Sequence, residues 1–212
     1  MSAAMVKRKM VTGGSFTATQ VSVIADVPLK AVNQYLDRDL SGMGVAAIGG
    51  GFRHVRPEGL LAIRLVHEFI DSFSNAKRIE LVRKHLSKPS AKSIALDDGK
   101  IEVSVEPARA TVAAGLKAHD AAQAMVNSDP GILGGEPCLR GTRLSVYTIA
   151  DLLGASGRDE VLLAYPDLSD QQIEAARIFA LGSPRRGRPR SVEDVFARAK
   201  AKSRRTRSVQ IE

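Results

Sequence analysis

The sequence predicts a mainly α-helical protein with short β-hairpins, made of two small units and a basic tail. Three observations support this prediction. Apolar residues recur at helical spacing in several segments, glycine- and aspartate-rich turns join short extended segments, and positive charge is concentrated at one end. Residues 183–212 hold ten Lys/Arg and three Asp/Glu, so they carry +7 of the formal +8 of the 212-residue chain.

The first predicted unit, residues 16–75, follows a flexible lead-in over residues 1–15. Thr17 and Gln20 have the spacing of a capping box at the start of a first helix. Pro28 is expected to be the first residue of a second helix, where its missing N–H is not needed. Two short helices joined by a tight turn are what a helix-turn-helix requires.

A hairpin and a longer helix complete the first predicted unit. Short extended segments on either side of the glycines at 49–51 predict the hairpin, which would be a wing beside the helix-turn-helix. Pro57 opens the longer helix, whose apolar residues recur as far as residue 73. The outer face of the second short helix is expected to carry Lys30, Asn33, Gln34 and Asp37.

Residues 76–127 are predicted to connect the two units. A basic helix ends near Pro89, a hairpin follows, and an alanine-rich helix covers about residues 108–125. Asp97 and Asp98 form the hairpin turn with Gly99, and an Asp-Asp-Gly sequence favours a tight turn over an acid/base pair.

The second predicted unit, residues 128–182, opens with a hairpin that pairs residues 132–133 with residues 138–139. Three helices follow, at about residues 146–154, 159–165 and 170–181. Their predicted N-terminal caps are Ser145 and Ser169, the latter forming a capping box with Gln172.

Composition disfavours several classes of function. Aromatic residues make up only 4% and there is no Trp, so stacking platforms for single-stranded nucleic acid are not expected. The single cysteine, Cys138, excludes an internal disulfide and is expected to be a packed apolar side chain. We expect no enzyme, metal or cofactor, because no nucleophile–base pair, metal-ligand cluster or phosphate-binding loop is found. No signal peptide or membrane span is predicted, so we expect a soluble cytoplasmic protein.

The tail, residues 183–212, combines a basic segment with an amphipathic helix. Val192, Val195 and Phe196 recur on one side of this helix, and its later turns are basic. An isolated helix of this length is marginal in water, so we expect it to fold on an acidic partner. Residues 185–190 look like an AT-hook core that lies in a DNA minor groove, or like a charged linker.

Residues 16–75 resemble the MerR-type winged helix-turn-helix family. The resemblance is carried by Phe-Thr-Ala-Thr-Gln at 16–20, Val-Pro at 27–28, Asn-Gln-Tyr-Leu at 33–36 and Phe-Arg-His-Val at 52–55. It implies a partner, double-stranded operator DNA, and a homodimer presenting two recognition helices. The candidate contacts are Lys30, Asn33, Gln34 and Tyr35 in the groove, and Arg53, His54 and Arg56 on phosphates. For each of them a solvated surface position is the alternative.

Residues 129–143, with the sequence Asp-Pro-Gly-Ile-Leu-Gly-Gly-Glu-Pro-Cys-Leu-Arg-Gly-Thr-Arg, are similar to the signature of domain of unknown function 433, an antitoxin-like family. Residues 165–169 and 172–176 continue the pattern. With the winged helix in front, the whole chain resembles a VapB-type antitoxin of a type II toxin–antitoxin system. This resemblance implies repression of its own operon and a PIN-like ribonuclease toxin as the partner.

A PIN-type nuclease binds its metal with carboxylates, so its cleft is negative and complements a cationic tail. The expected toxin contacts are an apolar anchor and forked cationic donors, namely Val195, Phe196, Arg198, Arg204, Arg205 and Arg207. The alternative function is a stand-alone MerR-like transcriptional regulator that grips DNA with its tail and has no toxin.

Overall fold

The computed structural model describes residues 14–49 and 52–185 of the chain. Within these ranges the protein is mainly helical with short antiparallel strand pairs, as the sequence predicts. Contacts divide the chain into two units. Of the described residues, 14–21 and 27–109 form the first unit, and 22–26 and 110–185 form the second. Residues 76–127, predicted as one connector, are therefore shared between the units.

Three predicted features lie outside the described residues. They are residues 1–13 of the lead-in, residues 50–51 at the tip of the first hairpin, and the tail from residue 186 onward. The tail contacts expected for a toxin all fall in this last segment, namely Val195, Phe196, Arg198, Arg204, Arg205 and Arg207. In the ranges that are described, no helix is long and apolar enough to cross a membrane.

The capping box predicted at Thr17 and Gln20 is confirmed. Strand β1 (Phe16–Thr17) leads directly into helix α1 (Ala18–Ala25). The Gln20 N–H donates to Thr17 Oγ1 at 3.3 Å, and the Thr17 N–H donates to Gln20 Oε1 at 2.9 Å. These two bonds satisfy N–H groups that have no partner inside the helix, which fixes where α1 begins.

Helix α2 (Leu29–Asp37) follows a short turn and begins one residue later than predicted. Pro28 is its N-cap, with φ −53° and ψ 134°, rather than its first helical residue. Val32 and Leu36 are buried, as their helical spacing predicts, and α2 packs against the helix that follows the hairpin. This packing holds α2 with one face inward and one face outward.

The predicted hairpin is present and belongs to a three-stranded sheet. Strands β2 (Ala46–Gly49) and β3 (Phe52–Val55) pair antiparallel, and β1 pairs with the other edge of β3. Helix α3 (Pro57–Glu68) follows, with Pro57 in its first turn as predicted. It ends at Glu68, and residues 69–72 form turns where the sequence predicts a further turn of helix.

A fourth helix and a second hairpin complete the first unit. Helix α4 (Asn75–Ser87) is capped by the Ser74 side chain, and β4 (Ser93–Leu96) pairs antiparallel with β5 (Ile101–Ser104). The predicted turn joins these strands, with Asp98 at a positive φ of 54°. Asp97 forms an ion pair with Lys77 of α4 at 2.6 Å, so the two aspartates serve the turn.

His85 of α4 is a buried polar residue of the first unit. Only 2% of it is exposed, and its Nδ1 has no hydrogen-bond partner among the described residues. Burial lowers the pKa of His85 below its ordinary value of 6.5, and the nearby positive charge of Arg109 lowers it further. The folded protein therefore favours the neutral imidazole.

Acid is expected to destabilise the first unit through His85. Below pH 6.5 the unfolded chain takes up a proton at this residue while the folded chain does not. The free energy of unfolding therefore decreases as the pH is lowered, until the pH is below the pKa of His85 in the folded protein. Urea denaturation between neutral and mildly acidic pH measures the effect. His85→Leu should flatten the pH dependence, and the half-buried His54, changed to Gln, provides the control. Equal pH dependence in wild type and His85→Leu would contradict this assignment.

The second unit is built around more than one apolar cluster. Its elements are the later part of helix α5 (Glu106–Ala124), β6 (Val126–Asn127), β7 (Cys138–Leu139), α6 (Val146–Ser156), α7 (Arg158–Ala164) and α8 (Asp170–Gly182). The three predicted helices are thus confirmed to within two residues at each end. One cluster combines buried side chains of these helices, of the two strands and of the loop before α8, namely Val126, Leu139, Val146, Ile149, Leu152, Val161, Leu168, Ile173 and Ala176. Another joins α5 to α8 through Ala122, Ala175 and Ile178.

The hairpin of the second unit differs from the prediction. Strand β7 pairs with β6, so the partner of residues 138–139 is residues 126–127 instead of 132–133. Residues 133–135 form a tight helical turn in which Leu133 and two glycines have positive φ. The glycines at 134–135 predicted a turn correctly. This turn lies within the long connection between β6 and β7 and does not join two paired strands directly.

The two predicted serine caps have different outcomes. The Ser169 hydroxyl accepts from the Gln172 N–H at 3.2 Å, and the Gln172 side chain accepts from the Ser169 N–H, so this capping box is confirmed. Ser145 is at the N-cap of α6, but its hydroxyl makes no capping bond and, within the described part of the chain, is buried without a partner. The Ser145 backbone forms a β-bridge with the Cys138 backbone, and the residue is only 4% exposed.

Candidate nucleic-acid interface

The outer face of α2 is polar and exposed, as its periodicity predicts. Val32 and Leu36 anchor the opposite face in the core. Asn33 Nδ2 donates to the Leu29 carbonyl at 3.1 Å and leaves its amide oxygen available. The exposed side chains on this face follow one another at three or four residues, which is about one helical turn. They are Lys30, Asn33, Gln34 and Asp37. Such a face can present hydrogen-bonding groups to a ligand that lies along the helix.

Tyr35 does not belong to this exposed face, which corrects the sequence-based prediction. Only 5% of it is exposed, and its hydroxyl is hydrogen-bonded to His67 Nδ1 of α3 at 3.0 Å. Burial raises the pKa of the Tyr35 phenol, and the nearby charge of Asp39 contributes less. Tyr35 therefore attaches α2 to α3. Its position three residues after Val32 places it on the apolar face, a signal available from the sequence.

The three residues predicted to contact phosphate lie on β3 and just after it. Arg53 and His54 are half-buried in the strand, and Arg56 is exposed at the N-cap of α3. The backbone N–H of Arg56 donates to the Val45 carbonyl at 2.8 Å, which fixes the end of the hairpin. The residues belong to one short segment, and their side chains alternate between the faces of the sheet.

An ion pair joins the hairpin to α2. Arg53 Nη2 lies 2.6 Å from Asp37 Oδ1, although the residues are 16 positions apart in the chain. The side chains of Arg53 and Asp37 are 34% and 58% exposed. This contact brings the exposed face of α2 close to a residue predicted to contact phosphate, and no local pattern in the sequence indicates that Asp37 would take part in it.

The start of the basic tail is bound to the second unit. The Tyr147 hydroxyl donates to the Ser183 carbonyl at 2.8 Å. The Arg185 guanidinium lies 4.9 Å from the centre of the Tyr147 ring and forms an ion pair with Glu136. The first arginine of the AT-hook-like segment is therefore occupied within its own unit, and the rest of that segment lies outside the described residues.

The second unit also contains a pocket of about 460 Å³ formed by the residues between β6 and α6. Cys138 is among them but is only 3% exposed, which confirms the prediction of a packed side chain. Across residues 14–49 and 52–185, no three His, Cys, Asp or Glu side chains are grouped as a metal ion would require. The pocket is lined by Asn127, Asp129, Ile132, Cys138, Leu139, Gly141, Thr142 and Arg143.

The fold and these sites define a mainly helical protein in which a helix–turn–helix–hairpin–helix unit is followed by a second helical unit. Residues 126–180 match the family described as "Protein of unknown function (DUF433)", so the second unit carries a DUF433 domain. "Uncharacterized protein y4eO" of Sinorhizobium fredii (strain NBRC 101917 / NGR234) is 27% identical over 190 residues, covering 84% of this chain and 86% of that protein. No solved structure matches the chain.

Proposed function

We propose that the protein is an antitoxin that binds double-stranded operator DNA through its first unit and neutralises a PIN-like ribonuclease through its basic tail. The DNA-binding part is supported by one observation above all. The exposed polar face of α2 stands beside Arg53 of the β2–β3 hairpin and is joined to it by the Asp37–Arg53 ion pair. A recognition helix that lies in the major groove, with a basic hairpin beside it, has this arrangement of groups.

Double-stranded DNA fits this face better than a single strand. Single-strand binders stack bases on exposed aromatic rings, and Tyr35, the aromatic residue of α2, is buried against His67. Lys30, Asn33 and Gln34 instead offer a cation and two amides. Amide side chains can pair with adenine and lysine with guanine at the edges that the major groove exposes.

Toxin binding is proposed on the chemistry of the tail and on the resemblance of the chain to VapB-type antitoxins. Residues 183–212 carry a net +7, which complements the acidic metal site of a PIN-like ribonuclease. The proposed homodimer would present two copies of α2 to two half-sites of an operator. Repression of its own operon would follow from occupying that operator.

Removing the tail separates the two activities. A chain that ends at Arg185 keeps the contacts of Tyr147 with Ser183 and of Glu136 with Arg185, so its second unit should remain folded. We expect this shortened chain to bind a duplex from the region upstream of its gene, and to lose protection of cells that express the neighbouring PIN-like nuclease. Gel shift and co-expression growth assays provide the two measurements, with circular dichroism as the control for folding.

Two results would contradict the proposal in different ways. Protection retained by the shortened chain would reject toxin binding through the tail. Weaker duplex binding by the shortened chain, with a flatter dependence on salt and no nuclease recovered with the full chain, would favour the stand-alone regulator.

A further inference from the structure

We propose that Asp37 is a positioning residue for DNA binding, which holds the Arg53 guanidinium in place for a single phosphate. This inference rests on the proposed DNA-binding function. It starts from an acidic side chain on a face proposed to approach a polyanion. Asp37 shares the exposed face of α2 with Lys30, Asn33 and Gln34, where an uncompensated carboxylate would repel phosphates.

The ion pair removes this repulsion and leaves donors available. Arg53 Nη2 lies 2.6 Å from Asp37 Oδ1. A guanidinium has five N–H donors in a planar fork, and among residues 14–49 and 52–185 the Asp37 carboxylate is the partner found for Arg53. Because the Arg53 side chain is 34% exposed, its remaining donors can reach a ligand while the contact with Asp37 persists.

The strand register determines which way Arg53 faces. Side chains two residues apart share a face of a strand, so Arg53 lies on the same face as the fully buried Val55, nearer the hairpin tip. Its cross-strand neighbour is Ile48, which is 80% exposed. Arg53 therefore lies at the open edge of the core-facing side of the hairpin, beside the C-terminal end of α2.

The Asp37–Arg53 ion pair is expected to add little to the stability of the fold. Exposed ion pairs contribute little to stability because water screens them and both side chains lose rotational freedom. The same geometry is useful for binding, because an arginine that is already oriented loses less freedom when it meets a phosphate. Asp37 would thus act on the DNA only through Arg53.

A double-mutant cycle tests this role with the full-length protein and a short duplex from the region upstream of its gene. Arg53→Ala should make the negative slope of log K against log salt shallower by about 0.9, which is the contribution of one phosphate contact. In that background Asp37→Asn should raise affinity, because it removes a negative charge. In the otherwise wild-type chain Asp37→Asn should leave the affinity unchanged or lower it. The change in affinity caused by Asp37→Asn should therefore differ by at least about twofold between the two backgrounds.

The salt dependence distinguishes positioning from bulk charge. Asp37→Asn makes the protein more positive, yet it should lower the slope toward that of Arg53→Ala, because Arg53 is no longer held at its phosphate. Asp98→Asn is the matched control. It also removes an exposed carboxylate of the first unit, at a positive φ of 54° that Asn tolerates, and should leave the slope unchanged.

Each remaining outcome overturns the inference. An equal gain from Asp37→Asn in both backgrounds would mean that Asp37 acts by its charge alone. A larger gain in the presence of Arg53 would mean that the carboxylate competes with phosphate for the guanidinium. If the wild-type chain binds no duplex, the proposed function fails together with the inference, whereas duplex binding with additive effects rejects the inference alone.

Discussion

Replacing Arg78 by alanine should lower the free energy of unfolding of the first unit by about 3–5 kcal/mol, because it leaves a buried carboxylate without its partner. Arg78 Nη2 lies 3.0 Å from Asp39 Oδ1, and the side chains are only 11% and 8% exposed. Arg78 also donates to the carbonyls of Ile70 and Phe73, at 3.3 and 2.6 Å. One side chain thus holds both Asp39 and the turns between α3 and α4.

Urea denaturation measures this loss, and Arg177→Ala provides the matched control. Arg177 also pairs with a carboxylate, that of Glu174 at 2.6 Å, but both side chains are about half exposed. Its removal should cost no more than about 1 kcal/mol. Changing both partners of the buried pair, as Asp39→Leu with Arg78→Met, should recover part of the loss, since no buried charge is then left unpaired. Equal costs for Arg78→Ala and Arg177→Ala would refute the prediction.

Gly115→Ala should destabilise the second unit even though alanine is the better helix former. A Cβ at this position of α5 would lie 2.0 Å from the carbonyl oxygen of Ile24 and 2.8 Å from its carbonyl carbon. Helix propensity alone favours alanine by about 1 kcal/mol. Overpacking costs about 1–3 kcal/mol or more, and the upper part of that range applies because the obstacle is backbone. We therefore expect a net loss of about 2 kcal/mol.

Gly154→Ala is the control for this prediction, because Gly154 of α6 has open space where its Cβ would be. This change should stabilise the protein by about 0.5–1 kcal/mol through helix propensity. Thermal unfolding of the two variants, measured beside the wild type, should therefore give shifts of opposite sign. A stabilising Gly115→Ala would show that α5 and the residues around Ile24 are not in close contact.

Local signals predicted the elements of this fold well. Both capping boxes, at Thr17–Gln20 and Ser169–Gln172, are present because their geometry involves only residues three positions apart. The exposed face of α2 followed from helical periodicity in the same way. The Tyr35 prediction is wrong because the residue shares the buried face of α2 with Val32 and not the exposed face with its polar neighbours.

Pairings between distant residues were not accessible in this way. The strand partner of Cys138–Leu139 is Val126–Asn127, and nothing in a short apolar pair of residues specifies which other pair it will meet. Ser145 had the residue type and the position of a cap, but its hydroxyl is buried and makes no capping bond. In both places the neighbours in space, rather than those in sequence, determined the outcome.

The sequence alone determined the helical class, the order of α1, α2, the β2–β3 hairpin and α3, and the polar outer face of α2, because these depend on spacing within a few residues. Tertiary structure decided that Tyr35 attaches α2 to α3, that Asp37 meets Arg53, and that Arg78 neutralises Asp39. These contacts join residues 16 to 39 positions apart. They form only when packing of the apolar faces has brought the elements together, so no local pattern in the chain encodes them.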